Sequence, residues 1–398
     1  MKMNLCTCAA LAALMLLAPF APAQPQDESV DGPSPREMVN AGADFLVSVE
    51  EGAGKKGPGG EWPYEGVYRV RGQIPIGYRV GGTGIACLAM AMSPEYVESK
   101  PQQEAVARGV AFIIESVKHP LMNPDYDGGY DVRGWGYTYG GLLLLQLESR
   151  GLLPEDQEKP AHDAAAFYVD AIEQTAIPKV GGWNYARARG KDAVSPPSPF
   201  MTSPTLQTLF LARSLGYEVD PAVVDKALNA LEAARKPSGE FVYAGDASKR
   251  RPGGVPGAVG RMMASETTLF LAGRSTPAQV RGALDAFIVH WAWLEKRRQQ
   301  TGTHIPPYNI APYYFYYAHL AAAQAIECLP KNERAEYRKH LIELLRRTRD
   351  DDGTWNDRVF ERSANYGTAM AILALRTPAI GLVPQWQPPA EPDAENQP

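Results

Sequence analysis

Apolar residues near the C-terminal end of the chain follow two different rhythms. Tyr337, Leu341, Leu344 and Leu345 recur at i, i+4, i+7 and i+8, the one-sided spacing of an amphipathic helix. From Ser363 to Leu375 small and apolar residues run on without a polar face, the composition of a helix buried on all sides. Between the two lies Asp352-Gly353-Thr354-Trp355-Asn356-Asp357, a Gly-x-Trp turn. The unit is therefore an outer helix, a turn, and an inner helix that the outer one shields from water.

The unit recurs. Gly60-Glu61-Trp62 precedes the apolar run Gly84 to Met92, and Gly128-Gly129-Tyr130 with Gly134-Trp135 precedes Thr138 to Leu147. Gly181-Gly182-Trp183 precedes Ser203 to Ala212, and Gly239-Glu240-Phe241-Val242-Tyr243 precedes Ser265 to Ala272. A weaker copy runs from Pro307-Tyr308-Asn309 into Tyr313 to Ile326. About six copies spaced by roughly 50 to 70 residues form a repeat architecture. About six hairpins, each with an apolar inner helix, bury those helices only by closing into a ring.

These Gly-x-Trp turns between paired helices resemble the prenyltransferase and squalene-cyclase repeat of terpenoid cyclases and protein prenyltransferases. Phe45-Leu46 and Phe112-Ile113 fit that family's aromatic-aliphatic pair on the outer helix. The resemblance covers nearly the whole chain and implies an all-α fold, an (α/α)6 toroid of about six helical hairpins with a ligand in its central cavity. The chain departs from the repeat at Arg349, where the cyclases carry glutamine. It also departs from the family's chemistry. Neither Asp125-Tyr126-Asp127-Gly128 nor Asp350-Asp351-Asp352-Gly353 is the cyclases' Asp-x-Asp-Asp. Cys87 and Cys328 lack the Asp-x-Cys pair of the zinc transferases, and the thioester signature of complement-type toroids is missing. No metal and no cofactor is expected.

The ends of the chain have other compositions. Lys2, the apolar run Ala9 to Phe20 and Ala21-Pro22-Ala23 read as a signal peptide over 1–23, which predicts a secreted or periplasmic protein. Residues 24–35 read as a linker, 36–380 as the toroid, and 381–398 as a disordered Pro-rich tail. The apolar run is too short for a membrane span, and no other stretch is apolar enough for one. The net charge of −5 gives no sign of a nucleic-acid partner. Cys87 and Cys328 fall in inner helices, and whether they pair is left open, as is the oligomeric state.

The candidate chemistry lies mostly in the loops that lead into the inner helices. His304, beside Tyr308, combines an imidazole with a phenol, a combination suited to acid–base work; an ordinary loop histidine is the alternative. Asp127 belongs to an aromatic loop, and Glu266 to the first turns of an inner helix, where a carboxylate also serves as a cap. His319 is either a core histidine or a cavity residue. Arginine recurs in these loops at Arg69, Arg71, Arg79, Arg133, Arg187, Arg189, Arg250, Arg251, Arg261, Arg358 and Arg362. Helix N-termini favour anions and guanidinium groups hold carboxylates and phosphates, so an anionic ligand group is expected at that end, unless neighbouring carboxylates neutralise the arginines. The expected ligand-binding set is Arg133, Trp135, Tyr137, Arg187, Arg261, Tyr313, Tyr316, Tyr317, Arg358 and Tyr366, with Tyr313, Tyr316 and Tyr317 sharing one helix face. Gly81-Gly82-Thr83-Gly84 lacks the lysine of a phosphate loop. Three readings of function follow: an enzyme of isoprenoid or other apolar substrates, a non-catalytic binding or scaffold protein, and a polysaccharide-active, lyase-like toroid. Each has a small-molecule or oligomeric ligand as its partner.

Overall fold

The computed structural model describes residues 32–52, 59–126, 132–184, 190–249 and 253–388. The signal region, Asp127 and Arg187 lie outside them. Among the described residues, twelve α-helices alternate between two layers. The outer layer holds α1 (Pro35–Ser48), α3 (Lys100–Ser116), α5 (Glu158–Gln174), α7 (Pro221–Ala233), α9 (Pro277–Glu295) and α11 (Arg334–Arg347). The inner layer holds α2 (Ile76–Ala91), α4 (Arg133–Glu148), α6 (Pro199–Ser214), α8 (Val259–Leu271), α10 (Phe315–Cys328) and α12 (Ser363–Ile380). Each inner helix packs on the next, and α12 returns to α2, which closes the (α/α)6 toroid. Among the described residues, strand pairing is confined to isolated bridges, and no helix is long and apolar enough to cross a membrane.

Local sequence starts the outer helices. Ser34 with Glu37 and Thr276 with Gln279 form capping boxes, and α1, α3, α7 and α9 carry proline in the first turn, where its missing N–H costs nothing. The inner helices are buried on nearly every side. Hydroxyl and amide side chains join them across the ring: Thr138 to Thr205 at 2.8 Å, Ser203 to Ser265 at 3.2 Å, and Gln207 to Thr268 at 2.9 Å. Each buried polar atom in these pairs thereby meets another instead of standing unpaired in an apolar layer.

A repeated clasp ties each outer helix to its inner one. The indole N–H of Trp62 donates to the Leu46 carbonyl (2.6 Å), that of Trp183 to Ile172 (2.8 Å) and that of Trp355 to Leu345 (2.8 Å). The acceptors are carbonyls in the last turns of α1, α5 and α11, which have no partner within the helix. The backbone N–H of each Trp donates to a threonine hydroxyl on the next inner helix: Thr83 (3.0 Å), Thr202 (3.0 Å) and Thr368 (3.1 Å). Glycine makes the seat. A Cβ on Gly82 would lie 2.3 Å from the Trp62 carbonyl oxygen, and one on Gly367 would lie 2.2 Å from that of Trp355.

The repeat is less regular than the aromatic pattern suggests. Trp135 is not a turn residue, because α4 starts at Arg133 rather than near Thr138. Likewise α2 starts at Ile76 rather than Gly84, which places Arg79 on the helix. Buried Phe241 stands in the fourth turn, where it cannot supply an indole donor. In the fifth hairpin the indole comes from the outer helix, with Trp291 donating to His319 Nε2 at 2.9 Å. The expected tail beginning at 381 is also corrected. Trp386 packs against Phe210 (5.5 Å between ring centroids), is 9% exposed, and donates its backbone N–H to the Leu271 carbonyl at 2.9 Å. Burying an indole outweighs the disordering tendency of the surrounding prolines; residues 389–398 lie outside the described set.

The clasp makes two separable contributions. Trp355→Ala is expected to cost roughly 3–5 kcal/mol, the range for large aromatic deletions in cores. Thr368→Val leaves the Trp355 N–H buried without its acceptor and is expected to cost about 1–3 kcal/mol. Urea denaturation of both variants measures this; an unchanged midpoint in Trp355→Ala would remove the clasp from the account of the fold.

Candidate functional site

Because every hairpin runs out along an outer helix and back along an inner one, all six return loops gather at one end of the ring. Contacts between neighbouring loops hold this mouth together. Gly245 N–H donates to Pro197 O at 2.8 Å, Gln299 N–H donates to Asp357 O at 2.9 Å, and the Arg358 guanidinium donates to Glu65 O across the sixth and first loops.

An aromatic cluster, the well, gathers rings from the first return loop and from the first two turns of α2, α4, α10 and α12 at the mouth. Tyr64 stacks on Trp135 with centroids 4.7 Å apart and planes 25° apart. Tyr366 lies 4.7 Å from Tyr64 and Tyr139 lies 4.8 Å from Trp135, while Tyr78 stands edge-on to both Tyr64 and Trp135. Tyr317 stacks on Phe200 at 4.1 Å. Tyr64, Tyr139, Tyr317 and Tyr366 are all buried, and their hydroxyls are close enough to feel one another's charge. None of the four hydroxyls has a hydrogen-bond partner among the described residues. Of the four, the Tyr317 hydroxyl is itself buried without a partner, an exception to the rule that buried polar groups are satisfied.

Asp357 joins this cluster. It is fully buried, and neither carboxyl oxygen has a hydrogen-bond partner among the described residues. Burial pushes its pKa from 3.8 up to about 7. The positive charges of Arg358 and Arg298, its own N–H and the Tyr316 N–H in the first turn of α10 pull the other way without overcoming burial. Tyr64 and Tyr366 both feel its charge. Asp357 therefore sits in a low-dielectric place beside the well, balanced between two protonation states near neutral pH.

A second feature, a cleft of about 520 Å³, opens between the fourth and fifth return loops, lined by Glu240, Tyr243, Arg261, His304, Tyr308 and Asn309 among others. His304 meets the Asn309 carbonyl at 3.2 Å through Nδ1 and the Tyr313 hydroxyl at 3.2 Å through Nε2. Tyr243 stands edge-on to the imidazole at 5.1 Å. Arg261 is buried, donates to Gly257 O at 2.8 Å, lies over the Tyr243 ring, and keeps its Nε unpartnered. Glu240 is 3% exposed and accepts the Gly253 N–H at 2.9 Å.

The structure thus brings together several residues singled out in the sequence and separates others. Trp135, Tyr317 and Tyr366 lie in the well, Arg358 borders it, and His304, Tyr308 and Arg261 share the cleft with Tyr313 behind the imidazole. Two expected lining residues turn outward. Tyr137, two residues past Trp135 on α4, donates to Met122 O at 2.6 Å toward the outer layer. Tyr316 donates to Thr348 O at 3.0 Å at the junction of α11 and α12, so it does not share the face of Tyr317. Glu266 faces the outer helices, accepting from Arg235 at 2.6 Å and Ser275 at 2.5 Å. His319 is a core histidine: its Nδ1 donates to Phe315 O at 2.8 Å, its Nε2 accepts from Trp291, and burial lowers its pKa to about 4. Most mouth arginines are engaged within the chain. Arg79 pairs with Glu61, Arg69 with Glu65, and Arg362 with Glu51 and Glu65, while Arg133 donates to the carbonyls of Asn123 and Tyr126.

Tyr64, Tyr139, Asp357 and Glu240 were not singled out as candidates. A signal for two of them was present. Tyr64, Tyr243 and Asp357 each stand two residues past the buried aromatic of their turn, Trp62, Phe241 and Trp355, and all three reach the mouth. Among the described residues, no group of three His, Cys, Asp or Glu side chains is placed to hold an ion. Cys87 and Cys328 are free, buried thiols, with pKa values raised by burial.

No family model matches the chain, and no curated protein matches it. Solved structures match along most of its length. The unsaturated glucuronyl hydrolase from Bacillus sp. GL1 is 13% identical, with a TM-score of 0.56 over 88% of this chain and 97% of that one. An α-1,6-mannanase of Salegentibacter sp. HEL1_6 is 11% identical, with a TM-score of 0.56 over 86% and 99%. A type II terpene cyclase from Scytonema is 12% identical, with a TM-score of 0.52 over 86% and 96%. At these identities the likeness establishes the toroid fold, as expected from the repeat, and leaves the chemistry to the site.

The well and the core histidine have opposite effects on stability. Asp357 holds its proton up to about pH 7 in the folded chain but only to about 3.8 when unfolded, so its burial costs stability as pH rises from about 4 to 7. His319 stays neutral down to about pH 4 when folded, against 6.5 unfolded, so its burial costs stability as pH falls from 6.5 to 4. Asp357→Asn is expected to stabilise the protein at pH 8 by roughly 3–5 kcal/mol and to leave it more sensitive to acid below pH 6.5. Urea midpoints at pH 5 and pH 8 for both proteins measure this; a variant without stabilisation at pH 8 contradicts the assignment.

Proposed function

We propose that the protein binds a saccharide-like ligand in the axial well, reached from the return-loop mouth. The observation that carries this reading is the convergence of stacked aromatic faces with unpartnered hydroxyls on one axis. Sugars present alternating apolar ring faces and hydroxyl edges. Flat aromatic walls take the faces, and tyrosine hydroxyls, which both donate and accept, take the edges. The open cleft with Glu240, Arg261 and His304 extends the mouth sideways and suits further units of an oligomer. Two of the toroids similar in structure, the mannanase and the glucuronyl hydrolase, are carbohydrate enzymes by name, which agrees with the reading without carrying it.

The isoprenoid reading has less support. The apolar space along the axis lies beneath Tyr139 and Tyr317, lined by residues such as Ile85, Leu142, Leu320 and Met370, and measures about 90 Å³. Small-molecule pockets usually begin at about 300 Å³. A strongly anionic ligand is also less favoured, since so many mouth arginines already meet carboxylates or carbonyls. The signal-like N-terminus fits an exported protein acting on extracellular glycans.

Titration calorimetry with cellotetraose, mannotetraose, tetragalacturonate and farnesyl diphosphate tests the reading. Binding of at least one saccharide, weakened about tenfold or more by Trp135→Ala, is the expected result. Binding of farnesyl diphosphate alone would transfer the site to the isoprenoid class, and no binding of any saccharide would end the proposal.

A further inference from the structure

Asp357 stands out among the described residues. It is fully buried on a return loop, and both of its oxygens lack partners among those residues. The elements packed around it supply no substitute. The sixth loop itself contributes Arg358, whose guanidinium is engaged with Glu65 O and lies over the Phe360 ring at 4.6 Å. The segment after α9 contributes Arg298, which is engaged with Asp350 at 3.1 Å and with Asn356 O at 3.3 Å. The first turn of α10 presents the Tyr316 N–H, which favours the charged form without completing a hydrogen bond. The first loop and α12 contribute Tyr64 and Tyr366, whose hydroxyls have no partner among the described residues. Both arginines are thus held to other acceptors, and the carboxyl keeps two coplanar acceptor oxygens beside the unpartnered hydroxyls of the well.

We infer that Asp357 is the ligand-contacting carboxylate of the axial well and that it recognises a vicinal diol, each of its oxygens accepting a hydrogen bond from one of two adjacent ligand hydroxyls. The inference rests on the saccharide reading and narrows it to ligands carrying two neighbouring free hydroxyls. Two adjacent acceptors match two adjacent donors, as they match the paired donors of a guanidinium. A charged acceptor strengthens both bonds, so the ligand favours the ionised carboxylate. Because the ligand-free carboxyl holds its proton up to about pH 7, binding below neutrality releases that proton. The balance is one O–H broken on Asp357, one proton passed to buffer, and two ligand hydroxyl bonds formed on the resulting carboxylate. Affinity therefore rises with pH until Asp357 is ionised without ligand.

Calorimetry of the full chain with cellotetraose and mannotetraose, at pH 6 in two buffers of different ionisation heat, reads the released proton directly. The expected result is close to one proton per bound saccharide at pH 6, little release at pH 8, and affinity that increases about tenfold per pH unit between pH 5 and 7. Asp357→Asn is expected to lower affinity about tenfold or more and to abolish both the proton release and the pH dependence, while its thermal melting shows it folded. Wild-type binding with no proton release at pH 6 overturns the inference, whatever the variant does. Equal affinity in Asp357→Asn overturns it as well; in both cases the saccharide reading stands. Absence of saccharide binding by the wild type defeats the saccharide reading itself, and the diol inference with it.

Discussion

The indole-to-carbonyl hydrogen bond of the return turns is the interaction on which the rest of the architecture depends. A helix ends with carbonyls that have no partner inside it, and in three hairpins a tryptophan supplies one. The same residue docks its main chain on a threonine hydroxyl of the next inner helix. One side chain therefore fixes the end of the outer helix, the start of the return loop and the height at which that loop meets the inner ring. The residue two positions further on, Tyr64 in the first hairpin and Asp357 in the sixth, is delivered to the mouth as a consequence. The geometry of the well is inherited from a structural contact about 10 to 16 residues long in sequence.

The ring was legible because its signals are periodic. Amphipathic outer helices, apolar inner helices and Gly-x-Trp turns repeat, and closure is the one arrangement that buries about six inner faces. The site was legible only in part, because it is an exception within each repeat. Trp135 and Tyr137 read alike on paper, but α4 begins early enough to send one to the axis and the other to the outer layer. Tyr316 and Tyr317 are separated in the same way, by the rotation of consecutive helix positions. Asp357 read as a partner for arginine, since neighbouring charges in a sequence usually pair. Its isolation arises because Arg358 and Arg298 are both drawn to backbone or side-chain acceptors elsewhere, a three-dimensional outcome that no local pattern announces.

A buried carboxyl with no partner is destabilising, and the fold retains it in a cluster whose Tyr317 hydroxyl is in the same condition. Local discord of this kind within an otherwise consistent structure is where function is expected. Two other buried titratable groups behave differently. His319 is satisfied on both nitrogens, and Glu266 is held by Arg235 and Ser275. The contrast separates polar groups that serve the fold from those that the fold tolerates.

The strap that ends in Trp386 gives the ring a direction. Ile380, Gly381 and Val383 border the small apolar space that Tyr139 and Tyr317 also line, and Trp386 then anchors the strap to α6 and α8. The two ends of the ring are therefore unlike: six return loops frame one, and the chain's own C-terminal strap crosses the other. On the saccharide reading proposed above, a polymeric ligand would then meet the mouth by a chain end, and chain ends rather than chain length would set how many molecules are engaged at once.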